Sequence, residues 1–192
     1  MDHSILFDGG YRIYQGQVPY KDFFMAYPPG ALWVQALFFW LWGLDFSALV
    51  LPAALANAAG VGMAMGMTWK LFPRDRLAAA VSGLFTAVWF LGPFGALQHE
   101  QLAFLFDLAA SWLIVRCPAP AARVAAGLSL ACAMLCKQNA GGMFVPVVLL
   151  AVVLQHVPKW RRIALDWALI IGGMAAGLAL FASWVWLYSD WS

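Results

Sequence analysis

Apolar residues fill seven stretches of the 192-residue chain, at about 31–44, 46–69, 77–97, 101–116, 121–136, 141–157 and 163–188. None alternates with the period of two that a membrane β-barrel strand requires. The six stretches from residue 46 onward predict helices that cross a bilayer. The polar breaks between them alternate in charge. Lys70, Arg74 and Arg76 follow the second stretch, Arg116 and Arg123 flank the CPAPAA turn, and Lys159, Arg161 and Arg162 follow the sixth. Basic residues stay on the cytoplasmic side, which places these three breaks there. The other breaks are GALQHEQ near 98, KQNAGG near 139 and the end YSDWS, and they face outward. They hold one basic residue between them, Lys137.

The first stretch, ALWVQALFFWLWGL, behaves differently. Fourteen helical residues reach about 21 Å, against roughly 30 Å of hydrocarbon. Its tryptophans and phenylalanines suit the membrane interface. The expected arrangement is a helix lying in the outer leaflet, with residues 1–45 all outside. If 31–44 crosses instead, residues 1–30 are cytoplasmic; Arg12 and Lys21 would suit that side. Ahead of it, residues 16–30 read GQVPYKDFFMAYPPG. Pro19, Pro28 and Pro29 exclude one long helix. Tyr20, Phe23, Phe24 and Tyr27 need surfaces to pack on, so the segment predicts a folded loop.

Composition agrees with a membrane protein. Charged residues are 10% of the chain and hydrophobic ones 64%, too few polar groups to cover a soluble domain. The fold class expected is all-α, a polytopic transmembrane helix bundle of about six spans plus an outer interfacial helix. Residues 1–45 form the extracytoplasmic first loop and residues 46–192 the bundle. A net charge of +2 gives no reason to expect nucleic acid. Cys117, Cys132 and Cys136 match no disulfide framework and no metal spacing, and read as small interior residues. Residues 1–30 lack the basic start and apolar core of a signal peptide. An outer segment of this length needs an anchor helix before it, so the chain is expected to be a fragment, truncated at both ends.

The opening DHSILFDGGYRIYQGQVPYKDFFMAYPPG resembles the first extracytoplasmic loop of the C-type polyprenyl-phosphate-sugar-dependent glycosyltransferases. These include protein O-mannosyltransferases, aminoarabinose transferases and galacturonosyltransferases. Asp2, Tyr11, Arg12, Gly16, Pro19, Tyr20, Lys21, Asp22, Phe23, Pro28, Pro29 and Gly30 follow the order of that loop. HEQLAFLFDLAA is similar to the family's second outer loop, and AGLSLACAMLCKQNA to its span ended by an outer lysine. His3 stands where members often carry a second acid, and Tyr27 where some carry a lysine. The resemblance covers the N-terminal part of a usual member.

The resemblance implies transfer of a sugar from a polyprenyl-phosphate donor to a glycan, lipid or protein acceptor, at the outer face of the cytoplasmic (inner) membrane. Such a transfer needs a base for the acceptor proton and cations or donors for the leaving phosphate. Asp2 is the candidate general base, with Asp8 its rival carboxylate, although the glycines that follow Asp8 suggest a turn. Glu100 is the second catalytic candidate, to orient the acceptor; its bland reading is an acid favoured at a helix N-terminus. Lys137 is the candidate phosphate clamp, against a lysine that merely snorkels to headgroups. Gln138, His99, Arg12 and Lys21 complete the substrate-binding set. Asp22 reads as structural and Asp166 as interfacial. Asp107 lies deep in a span, where a partner inside the bundle is expected. His99, Glu100 and Asp2 offer donors for a divalent ion, but their spacing matches no ligand pattern and no metal site is assigned.

Two other classes stay open. A transporter or flippase of lipid-linked material would bind near mid-membrane, on broken helices, whereas these polar residues collect at one outer face. An inactive fragment of the transferase is the third reading.

The topology is testable in intact cells. Single cysteines at Ser4 and Gln98, in a background lacking the native cysteines, should react with an impermeant maleimide, and one at Ser129 should not. Protection of position 4 until the cells are opened would mean that 31–44 crosses the membrane.

Overall fold

The computed structural model describes residues 2–90 and 97–188; the side chains of residues 2, 3 and 90 lie outside that description. Among the described residues eight helices follow in order: α1 (Asp2–Tyr14), α2 (Gly30–Trp42), α3 (Ser47–Leu71), α4 (Arg76–Phe90), α5 (His99–Arg116), α6 (Pro120–Cys136), α7 (Gln138–His156) and α8 (Trp160–Tyr188). Among the described residues there is no strand. The six stretches expected from residue 46 onward correspond to α3–α8. Their starts have local causes. The Asp75 carboxylate accepts from the Ala78 backbone N–H at 2.8 Å and caps α4. Gln98 and Gln101 form a capping box for α5. Pro120 occupies the first helical turn of α6, where its missing N–H costs nothing.

The molecule is an all-helical membrane bundle. Helices α3, α7 and α8 are long and apolar enough to cross a bilayer; α4 and α6 are apolar but shorter. On α4, Leu77, Val81, Leu84, Phe85, Val88 and Trp89 are all more than half exposed, an outer face suited to hydrocarbon.

One segment departs from expectation. Residues 2–14, read as loop, form α1. Leu6, Gly9, Gly10 and Ile13 share one face of it and are buried. A Cβ on Gly9 would fall 2.7 Å from Leu32 Cδ1, and one on Gly10 2.8 Å from Gln35 Cγ. The paired glycines that resemble a turn are the close contact between α1 and α2. Asp8 is therefore helical, and Arg12 Nε donates to its carboxylate at 2.8 Å, one turn away. Residues 15–29 are the expected folded loop. α2 has 13 residues, and Gln35 Nε2 donates to the Ala48 carbonyl at 2.9 Å, tying it to α3.

α6 packs most extensively on α8. Backbones approach closely there: a Cβ on Gly127 would lie 2.0 Å from the Ile170 carbonyl oxygen, and one on Gly173 2.3 Å from that of Val124. Small residues let membrane helices gain dispersion contacts that lipid tails would otherwise supply.

The same pair is locked at one end by charge. Arg123 Nε donates to Asp166 Oδ2 at 3.1 Å, and both side chains are almost wholly buried, 2% and 8% exposed. Arg123 Nη1 also donates to the carbonyls of Ile114 and Cys117, at 3.1 and 3.3 Å. His156 Nε2 sits 3.1 Å from the same Asp166 oxygen. One arginine thus joins the end of α5 and the starts of α6 and α8, and the last residue of α7 reaches the same carboxylate. Asp166, read from sequence as interfacial, is a buried ion-pair partner near the start of α8.

Removing one member leaves the other charged and buried. Asp166→Asn or Arg123→Met should each cost about 3–5 kcal/mol. The double change Arg123→Met with Asp166→Leu should recover most of that loss. Thermal unfolding of the detergent-solubilised protein measures both, and equal losses in the single and double variants would contradict it.

Candidate functional site

Lys137 is the only residue between α6 and α7. Its backbone is extended (φ −154°, ψ 106°), and it caps the end of one helix and the start of the next. Its N–H donates to the Ala133 carbonyl at 2.9 Å, and its own carbonyl accepts from Gly141 N–H at 3.0 Å. Both backbone groups are thereby committed to helices. The reversal needs Gly141, because a Cβ there would lie 2.5 Å from Met134 N. α2 starts on the same junction: a Cβ on Gly30 would meet the Leu135 carbonyl oxygen at 2.6 Å.

The Lys137 ammonium pairs with Glu100 Oε1 in the first turn of α5. The two side chains are 26% and 31% exposed, open to the surface on one side. The ammonium also lies 6.0 Å from the centroid of the Tyr27 ring, within reach of a cation–π attraction. Tyr27 in turn meets His99, with centroids 5.8 Å apart and planes tilted by 42°. Ile5, Tyr27, His99 and Lys137 line a small open cleft with room for about one water between them.

The PYKDF turn holds Tyr27 in place. Asp22 Oδ2 accepts from Val18 N–H at 2.7 Å, the Tyr20 N–H donates to the Phe23 carbonyl at 2.9 Å, and the Tyr20 hydroxyl donates to the Tyr27 carbonyl at 3.1 Å. Asp22 is structural, as its place in the motif suggested. Burial pushes the Tyr20 phenol pKa up, so it stays a donor at neutral pH. Tyr20 adopts φ 67°, a left-handed conformation unusual for a residue with a Cβ, which the Asp22 and Phe23 contacts hold.

Of the sequence candidates, the fold brings His99, Glu100 and Lys137 together. Ile5 carries the first turn of α1 to the pocket, and Asp2 begins that helix; its side chain lies outside the described residues. Arg12 is engaged by Asp8, with its guanidinium 5.6 Å from the Phe23 ring centroid. Lys21 lies exposed on the turn, and Gln138 is exposed at the start of α7. Ile5 is a site residue that the sequence did not mark, and Tyr27 was marked only as a loop aromatic standing where some family members carry a lysine. Only Tyr27 gave a signal, as an aromatic just before Pro28. Asp107 is fully buried within α5, two turns from Glu100. Among the described residues neither of its carboxyl oxygens has a hydrogen-bond partner, in contrast to the donor expected for it.

A cation beside an aromatic face, at a site where α5 and α7 both begin, is suited to an anionic group. The family model described as dolichyl-phosphate-mannose-protein mannosyltransferase matches residues 26–186. Neither a curated protein nor a solved structure matches the chain.

Proposed function

The chain belongs to the dolichyl-phosphate-mannose-protein mannosyltransferase family, and on that premise we propose that it moves a sugar from a polyprenyl-phosphate donor to an acceptor hydroxyl or amine, at the outer face of the cytoplasmic membrane. As a family member it is an integral membrane protein of glycosyltransferase type. The observation that carries the finer reading is the Lys137 ammonium, held against Tyr27 in a pocket at one end of the bundle. Eight of the 11 Lys and Arg residues lie in the breaks at the other end, a bias that supports the extracytoplasmic placement of this one.

In the proposed reaction the donor phosphate sits at Lys137 with its isoprenoid tail in the bilayer. The acceptor oxygen or nitrogen attacks the anomeric carbon from the opposite face, and inversion follows. The bond from that carbon to the phosphate oxygen breaks, and its electron pair stays on the phosphate. Lys137 offsets the charge that develops there. Asp2 takes the acceptor proton. The family match begins at residue 26, so Asp2 and the PYKDF turn rest on their resemblance to the first outer loop. Residues 1–45 then roof the site and residues 46–192 form the membrane body. A transporter would bind at mid-membrane; among the described residues Asp107 is the buried acid suited to that role, while His99, Glu100 and Lys137 gather at the helix ends.

Asp2→Asn should lower kcat by about 10²–10⁴-fold, with expression and membrane insertion unchanged. Transfer of labelled mannose from a polyprenyl-phosphate-mannose donor measures it, and retained turnover would remove Asp2 as the base.

A further inference from the structure

The phosphate-binding reading leaves Glu100 without a defined task. We propose that Glu100 is the counter-anion of Lys137 in the empty site, that it yields the ammonium to the donor's phosphate, and that its return expels the spent polyprenyl phosphate. This inference rests on the proposed function above and specifies how that site is loaded and cleared.

Four observations support an exchange. Lys137 holds one carboxylate, through Glu100 Oε1. The other oxygen, Oε2, is buried with no hydrogen-bond partner among the described residues, so little besides the lysine fixes the carboxylate. Both side chains are partly exposed, so an entering anion can reach the pair. Glu100 also lies in the first turn of α5, where the helix favours a negative charge even when the lysine has gone.

Charge then sets the order of events. A donor phosphodiester carries one negative charge. Transfer leaves the bond's electron pair on the phosphate oxygen and the acceptor proton on the base, so the product is a phosphomonoester with close to two charges at neutral pH. The product therefore binds a lone ammonium more tightly than the donor did, which would trap it. A resident carboxylate that competes for Lys137 shortens that stay. Glu100 is in this account a positioning residue that acts through Lys137.

Binding of polyprenyl monophosphate to the full chain in lipid nanodiscs tests this, with uncharged polyprenol as the control. Glu100→Gln should tighten monophosphate binding about fivefold, leave polyprenol binding unchanged, and lower KM and kcat together. Lys137→Ala should weaken monophosphate binding about tenfold or more. If Lys137→Ala weakens binding but Glu100→Gln fails to tighten it, the exchange is wrong and the phosphate clamp stands. If Lys137→Ala leaves monophosphate binding unchanged, the clamp fails and the exchange with it. Should Glu100→Gln not fold, Glu100→Asp, whose shorter carboxylate reaches the ammonium less well, should tighten binding by a smaller factor. Wild-type affinity in that variant would overturn the exchange.

Discussion

Turning the chain from α6 into α7 within a single residue is the constraint from which the site follows. Where one helix ends and the next begins, the backbone N–H and C=O groups freed at the termini need partners. Lys137 meets that demand by giving its N–H to α6 and its carbonyl to α7. A residue so committed has no freedom to choose where its side chain leaves the backbone. The long lysine stem carries the charge away from the apolar interior, to a point where α5 begins and the proline-rich loop enters α2. Gly141 permits the reversal and Gly30 permits the loop to approach it. The position of the cation is thus a product of backbone packing.

The two ends of the bundle treat charge in opposite ways. At Arg123 the ion pair is nearly sealed from solvent and surrounded by carbonyl acceptors. Taking such charges out of water costs several kcal/mol per ion, so the pair persists only because geometry and extra hydrogen bonds offset that cost. Its value is to fix four helix ends relative to one another. At Lys137 the pair is partly wet, and exposed pairs contribute only about 0–1 kcal/mol. A contact that weak does little to hold a fold together. It is, however, weak enough to exchange with another anion, and its surroundings of aromatic rings and helix starts are of the kind that would receive one.

The positions of the membrane helices were legible because lipid exposure and internal packing both demand apolar residues, leaving the breaks as the informative part. Charge alternation placed His99, Glu100 and Lys137 at one end for the same reason. What periodicity could not convey was pairing across distance. Glu100 and Lys137 are far apart in sequence, and each had a sufficient local explanation, one as a helix-start acid and the other as a snorkelling lysine. The pairing of Asp166 was missed in the same way, since Arg123, its partner, had already been explained as a topology signal. The error at α1 has a different cause. Gly9 and Gly10 carry the local signature of a turn, and only the proximity of Leu32 and Gln35 reveals that missing side chains are what the helix pair requires.

Tyr27 links these threads. Sequence presents it as one of four aromatics in a loop, standing where some family members carry a lysine, and gives no reason for an aromatic ring there. Its neighbours give the reason. The Tyr20 hydroxyl holds its carbonyl, Pro28 and Pro29 stiffen the chain just beyond it, and its ring meets both the Lys137 ammonium and His99. An aromatic ring there presents its face to the cation without offering it a competing negative charge. The PYKDF turn, distant from Lys137 in sequence, therefore acts on the site by fixing one ring.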